Sequence, residues 1–390
     1  EARDPSMARK LARRVRPRKL RWLFRGVRYL VLHRPARAWK SFNRLTLEKH
    51  PDFAHFYGLA LQALDRPREA LVHFERKYEH QAKAVRQRFD LARALFRAGR
   101  TGAAKKQLQK VADAKPKAPR LLYDWGRLAF GMGDLKATKQ RAQKLLKDHP
   151  NSPLGPHLVG IIHLRARHWK KARNAFEQAL KNSPGFYEST YNLARIALAR
   201  TGLVKAQLLF QQAYRESGRD PAVLLGMARQ YAEEAGESQM AKAYMSAAKA
   251  YRRQGSGYRA SLVYSELAAR LSRREKSNRA RIEHLFKRAV RYRTPHPLAL
   301  YRWAEYLRRR GKAEEALPWY RRAAGSAPEL PDLQYRYAWI LMHLKKSPGA
   351  ALAALRRFKS LETGTPRSKK VDKMERRLRY RRKKERAERN

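Results

Sequence analysis

The feature that most constrains this chain is a recurrence every 34 residues. With frames opening at residues 51, 85, 119, 153, 187 and 221, the eighth position reads Gly58, Ala92, Gly126, Gly160, Ala194 and Ala228. The twentieth reads Ala70, Ala104, Thr138, Ala172, Ala206 and Met240, and the twenty-fourth Phe74, Leu108, Ala142, Phe176, Phe210 and Tyr244. In the frame at 153, Ala172, Phe176 and Ala179 fall at i, i+4 and i+7, one face of a helix. A small residue facing such a small–aromatic–small face predicts two helices in close contact. Pro116, Pro150 and Pro184 close three frames, and Gly99 and Gly133 fall in the turn between the two helices. Glycine there supplies a backbone conformation that other residues resist. Such units bury their apolar faces on one another, so 390 residues imply one array rather than several globular domains.

The array has irregular ends and one break. Residues 1–17 show no apolar periodicity and contain Pro5 and Pro17, which predicts an extended basic arm. A helix is predicted from Arg18, with Trp22, Leu23, Val27, Leu30 and Val31 as its apolar set and Arg21, Arg25 and Arg28 as a basic stripe. A second follows Pro35, with Ala38, Phe42 and Leu45 inward, so 18–50 reads as a divergent first pair or cap. Six repeats occupy 51–254. Residues 255–296 are an irregular, longer pair, one repeat plus eight residues, with helices expected from Tyr258 to about Arg274 and from Asn278 to Tyr292. Two further repeats occupy 297–362. Residues 363–390 are a linker, TGTPRS at 363–368, and a Lys/Arg/Glu tail with little to bury, expected to be disordered on its own and able to become helical against a partner.

Charge is the second constraint. There are 91 Lys+Arg against 33 Asp+Glu, a formal net of +58. A chain this basic repels itself unless it lies against a polyanion, and nucleic acid is the commonest one of sufficient size. Residues 1–50 carry 16 basic and 3 acidic residues, and 365–390 carry 13 and 4. The remaining excess lies on the repeats. Arginine dominates both ends, which suits bidentate phosphate contacts. The expected contacts are Arg13, Arg14, Arg16, Arg18, Lys19, Arg21, Arg25 and Arg28 at the N-terminal end. At the C-terminal end they are Lys369, Lys370, Arg376, Arg377, Arg379, Arg381, Arg382, Lys383 and Lys384. The stretch 8–28 is arginine-rich and free of acids, a composition shared by organellar transit peptides and by basic arms kept in a mature protein.

No catalytic constellation is legible. The chain lacks cysteine, which excludes disulfides and thiolate metal sites. Among 12 histidines, His157, His163 and His168 are close in sequence, but at spacings of six and five, and no HExxH occurs. Gly131-Met-Gly133-Asp134 resembles a phosphate loop, yet lacks the Lys-Ser/Thr that follows one and sits between helices, so it reads as a repeat turn. No carboxylate pair suggests acid–base work. The expectation is a protein that is not an enzyme and holds no metal or cofactor. No apolar run approaches the ~20 residues that span a bilayer, and Trp22–Leu32 is interrupted by Arg25 and Arg28.

A 34-residue helix-turn-helix unit with these small, aromatic and proline positions resembles the tetratricopeptide repeat family, over about 51–254 and 297–360. The pentatricopeptide family fits less well, with a period of 35. The resemblance implies an all-α, right-handed α-solenoid whose concave groove is lined by the first helix of each pair. It places Phe89, Tyr123, Tyr191, Tyr301 and Tyr335 (fifth position) and Arg93, Arg127, Arg195 and Arg229 (ninth) in that groove. Aromatics interleaved with arginines suit base stacking and phosphate contact, although aromatics at the fifth position are also ordinary for the family. The lysine–asparagine clamp by which some members grip acidic peptides needs Asn in successive first helices, and only Asn192 supplies one. Together these features point to an RNA-binding scaffold, its arms on ribosomal RNA of an organellar (mitochondrial) ribosome and its groove on neighbouring proteins. The alternative is docking on an anionic membrane or acidic polymer through Arg18–Leu32.

Overall fold

The computed structural model describes residues 18–31, 35–42, 58–62, 67–78, 85–97, 101–114, 116–273, 278–328, 330–344, 347–361 and 366–387. Among them the regular structure is helical, without a strand. The chain divides into two compact units, Glu1–Ser256 and Gly257–Asn390. The first contains α1 (Arg18–Val31), α2 (Pro35–Phe42), a helical stretch at 58–62, α3 (Pro67–Tyr78), α4 (Val85–Arg97), α5 (Thr101–Asp113), α6 (Pro119–Gly131) and α7 (Leu135–Asp148). It continues with α8 (Leu154–Arg165), α9 (Trp169–Asn182), α10 (Tyr187–Arg200), α11 (Leu203–Glu216), α12 (Pro221–Glu234) and α13 (Glu237–Arg253). The second contains α14 (Gly257–Leu271), α15 (Arg279–Val290), α16 (Pro297–Arg309), α17 (Ala313–Ser326), α18 (Pro331–His343), α19 (Pro348–Leu361) and α20 (Pro366–Ala387). Consecutive helices pack as hairpins and the hairpins stack, so each unit is an all-α solenoid.

The sequence frames fall on helix starts: α4, α6, α10, α12, α16 and α18 begin at residues 85, 119, 187, 221, 297 and 331. The eighth and twenty-fourth positions explain why. Gly160 on α8 lies against the ring of Phe176 on α9, so closely that a Cβ there would overlap it. A Cβ on Gly58 would come within 2.7 Å of the Phe74 ring. Gly26 of α1 meets Phe42 of α2 in the same way, which shows that the divergent first pair closes by the same contact. Ala38 is buried as expected, and Leu45 lies outside the described residues. Phe42, Phe74, Phe176 and Phe210 are fully buried.

At the inter-helix turn, Gly133 has φ +81°, and the Asp134 N–H returns to the Ala129 carbonyl at 2.9 Å. Asp134 then caps α7, its carboxylate accepting from the Ala137 N–H at 2.9 Å. The Gly131–Asp134 segment is thus a helix stop followed by a helix start. Arg167 takes the equivalent turn position with φ +58°, where a side chain adds strain.

The break in register is resolved into two parts. α13 has 17 residues where its counterparts α9 and α11 have 14. Within the irregular pair, the second helix begins 22 residues after the first (Gly257 to Arg279), against 16 in regular pairs such as Pro119 to Leu135. The insertion is therefore shared between a longer α14 and a longer connection from α14 to α15.

The tail departs from expectation. Rather than a disordered segment after a linker, Pro366–Ala387 is one helix packed on α19. Val371, Glu375 and Leu378, at i, i+4 and i+7, are buried, and Lys359 of α19 pairs with Asp372 at 2.8 Å and Glu375 at 3.2 Å. One apolar contact per turn plus two carboxylates facing one lysine is enough to seat the helix. No described helix is long and apolar enough to cross a membrane.

The close helix approach gives a direct test. Gly160→Val is expected to cost about 1–3 kcal/mol, because a branched side chain must displace Phe176. Gly102→Ala, on α5 with nothing within 4 Å of the added Cβ, is expected to cost nothing. Urea unfolding followed by circular dichroism measures both.

Candidate functional site

First helices of four successive hairpins, α6, α8, α10 and α12, line a cavity of about 390 Å³ in the first unit. Arg127 and Phe130 come from α6, His157 and Ile161 from α8, Tyr191, Asn192 and Arg195 from α10, and Asp220 and Gly226 from the start of α12. This is the groove expected from the frame, and it brings together Arg127, Tyr191 and Arg195 of the expected residues.

The others are distributed differently. Phe89 and Tyr123 are fully buried and present no ring face to a base, which corrects their assignment to a stacking surface. Their fifth-position side chains sit within the hydrophobic clusters between helices. Tyr123 instead packs at 5.7 Å from the His157 ring and 6.3 Å from Phe186. Its hydroxyl has no hydrogen-bond partner, and burial raises its pKa. Tyr191 is half-buried against Phe210, with ring centroids 5.3 Å apart. Tyr301 and Tyr335, in the second unit, are half-buried beside Tyr320 (6.0 Å) and Phe358 (5.8 Å).

The groove arginines are largely engaged within the chain. Arg93 pairs with the buried carboxylate of Asp90 at 2.9 Å, so its guanidinium is committed, against the phosphate role expected for it. Arg86 and Arg120 both reach Asp124, at 3.0 and 3.2 Å. Arg127 lies 4.0 Å from Glu188 and 5.6 Å above the Tyr123 ring. Arg195 donates to Gln230 Oε1 at 3.2 Å and to Asn192 Oδ1 at 3.1 Å. Arg229 is exposed and also has an interaction within the chain. Glu188 and Asp220 were missed from sequence; their charges are visible there, but only the frame places Glu188 at a second position and hence in the groove.

His157 is the buried titratable group at the base of the groove. Its Nδ1 shares a 3.0 Å hydrogen bond with Ser189 Oγ, and Phe176 and Phe186 each lie 5.3 Å from its ring. Burial, with Arg127 nearby, pushes its pKa down to about 3. His163 and His168 have ring centroids 5.9 Å apart, and no group of three or more potential metal ligands forms among the described residues.

The unbalanced positive charge lies elsewhere. Second helices expose Lys105, Lys106 and Lys110 on α5, Lys136, Lys139 and Lys147 on α7, and Lys170, Lys171, Arg173 and Lys181 on α9. Each of these helices carries one acid: Asp113, Asp148 and Glu177. On α20, Lys370, Arg376, Arg377 and Arg379 are exposed, Arg379 pairing with Glu375. On α1, Arg25 is exposed and stacks at 5.3 Å on Trp22, while Arg28 is half-buried. Arg13, Arg14 and Arg16 lie outside the described residues, as do the side chains of Arg18, Lys19, Arg21, Lys369, Arg381, Arg382, Lys383 and Lys384.

Two tetratricopeptide repeat family models match the chain, one at residues 160–221 and 271–331, the other at 120–152. The chain carries tetratricopeptide repeats. Its hairpin closure, groove and turn positions are therefore those of a repeat scaffold for protein–protein interaction. No curated protein matches the chain. Similar solved structures include the APC/C hetero-tetramer Cut9–Hcn1 (15% identity, 92% of this chain and 76% of that one, TM-score 0.42). Yeast Tom70 (13%, 97% and 85%, 0.45) and the human IFIT1 dimer with PPP-AAAA (16%, 83% and 76%, 0.46) are also similar.

His157 makes the groove acid-sensitive. The group is neutral when folded and has an ordinary pKa near 6.5 when unfolded, so the unfolded chain binds the extra proton below that value. Stability is fully present above about pH 6.5 and is lost as pH falls toward 3. Between pH 7 and 5 the loss from this residue is expected to be about 2 kcal/mol. Chemical unfolding at the two pH values should show a smaller loss for His157→Gln than for the native chain.

Proposed function

We propose that this protein is a non-enzymatic RNA-binding scaffold of a large ribonucleoprotein, with a mitochondrial ribosome as the assembly and ribosomal RNA as the polyanion. The observation that carries the reading is the separation of charge. Groove arginines of the first unit are matched by Asp90, Asp124 and Glu188, whereas the lysines and arginines of α5, α7, α9 and α20 face outward with few acids to meet them. A surface of this kind reads phosphate and shape rather than sequence. The balanced groove is left for a neighbouring protein. An acid-free, arginine-rich stretch at 8–28 supports the organellar compartment.

Each phosphate neutralised releases counterions, so affinity falls steeply with salt. The full chain is expected to bind a structured RNA with a log–log salt slope of several units between about 50 and 200 mM salt. Changing Lys370, Arg376 and Arg377 together to Gln, three exposed positions of α20, should lower that slope by about one unit per residue. An affinity unchanged over that salt range overturns the reading. So does binding to anionic vesicles in the absence of any RNA binding.

A further inference from the structure

The second unit contains a cavity of different character. It has a volume of about 450 Å³ and lies where α14, α15, α16 and α18 converge. Six arginines line it: Arg273, Arg279, Arg302, Arg309, Arg310 and Arg336. The acidic lining residue is Glu305, which accepts from the Tyr320 hydroxyl at 2.6 Å, pairs with Arg308 at 3.0 Å and lies 4.0 Å from Arg336. Arg302 forms part of the wall, donating to Ser265 Oγ at 3.2 Å, and Arg279 is held by Glu283 at 3.0 Å. Arg273, Arg309 and Arg310 are exposed at the rim, and no carboxylate among the described residues pairs with them. In the first unit the groove guanidiniums have carboxylates or side-chain amides within reach. Here several have neither.

The irregular hairpin contributes to this site. Its connection between Leu271 and Arg279 is longer than in regular pairs, and the two flanks of that connection supply Arg273 and Arg279. The wall also carries Tyr301 and Tyr306, both half-buried, above the buried Phe286, with Tyr306 stacked on Trp303 at 5.7 Å and 14°. Guanidiniums beside half-buried aromatic rings suit a chain of phosphates bearing planar bases. A volume of this size takes one or two nucleotides and excludes a duplex.

We propose that this cavity binds a single-stranded segment of RNA, its arginines on consecutive phosphates and its tyrosines against a base. The ligand rests on the RNA reading above; the site rests on the geometry of the second unit alone. It gives the protein a point of attachment distinct from the diffuse outer surface, one that selects unpaired strand.

The test uses the full chain and a fluorescent decauridylate with a 5′-hydroxyl end. Arg273→Glu, Arg309→Glu and Arg310→Glu are combined in one variant. A control combines Arg281→Glu, Lys287→Glu and Arg291→Glu, exposed positions of the same unit outside the cavity with the same charge change. The cavity variant is expected to bind at least about tenfold more weakly than the control, with a salt slope reduced by about two units, ~0.7 for each phosphate that is no longer neutralised. Native-like circular dichroism certifies the fold, and the milder Arg→Gln triple replaces the reversal if it does not fold. Equal affinities for the two variants, with structured RNA still bound, overturn the cavity and leave the scaffold reading intact. Failure of the native chain to bind any RNA overturns both.

Discussion

The structure depends on one contact, a residue without a side chain, or with only a methyl group, pressed against an aromatic ring sixteen positions later. Gly26 with Phe42, Gly58 with Phe74 and Gly160 with Phe176 are three instances, and each closes a hairpin. Because the contact is local in sequence, every hairpin can form without waiting for distant partners, and the array grows by stacking. Close approach leaves little room along the seam, so aromatic side chains at fifth positions, such as Tyr123, are drawn into the stack. Burial of their polar atoms follows, as with the unpartnered Tyr123 hydroxyl.

Stacking also decides where charge can go. The first helices pack against neighbours on most sides, and their charged residues are brought near one another. There, acids at Asp90, Asp124 and Glu188 offset the arginines. The second helices keep an open face, which tolerates lysine after lysine. Repulsion among those side chains weakens the array unless a polyanion or salt screens it.

Much of the fold was legible because the contact that builds it repeats. Frames at 85, 119, 187, 221, 297 and 331 match helix starts, since a recurring Gly or Ala at the eighth position is what two closely approaching helices require. The site was less legible. A fifth-position aromatic is compatible with a groove or with a buried seam, and only packing distinguishes Phe89 from Tyr191. Arg93 was read by position, but its fate was set by Asp90 three residues earlier. The tail was misjudged because its buried residues, Val371 and Leu378, are sparse in a basic run, and the lysine that holds Asp372 and Glu375 sits in α19. The arginine-lined cavity could not be placed from sequence, because its irregular-hairpin residues Arg273 and Arg279 lie outside the register by which groove positions are counted.

The neutral histidine beneath the groove has a consequence for how the first unit fails. In a linear array each hairpin is held only by its neighbours, so stability behaves like links in a row rather than a shared reservoir. His157 sits in α8, with α1 to α7 before it in the first unit and α9 to α13 after it. Acid therefore acts on an interior link. Protonation there is expected to loosen the contacts of α8 with α6 and α10, in the middle of the groove, rather than those at its ends.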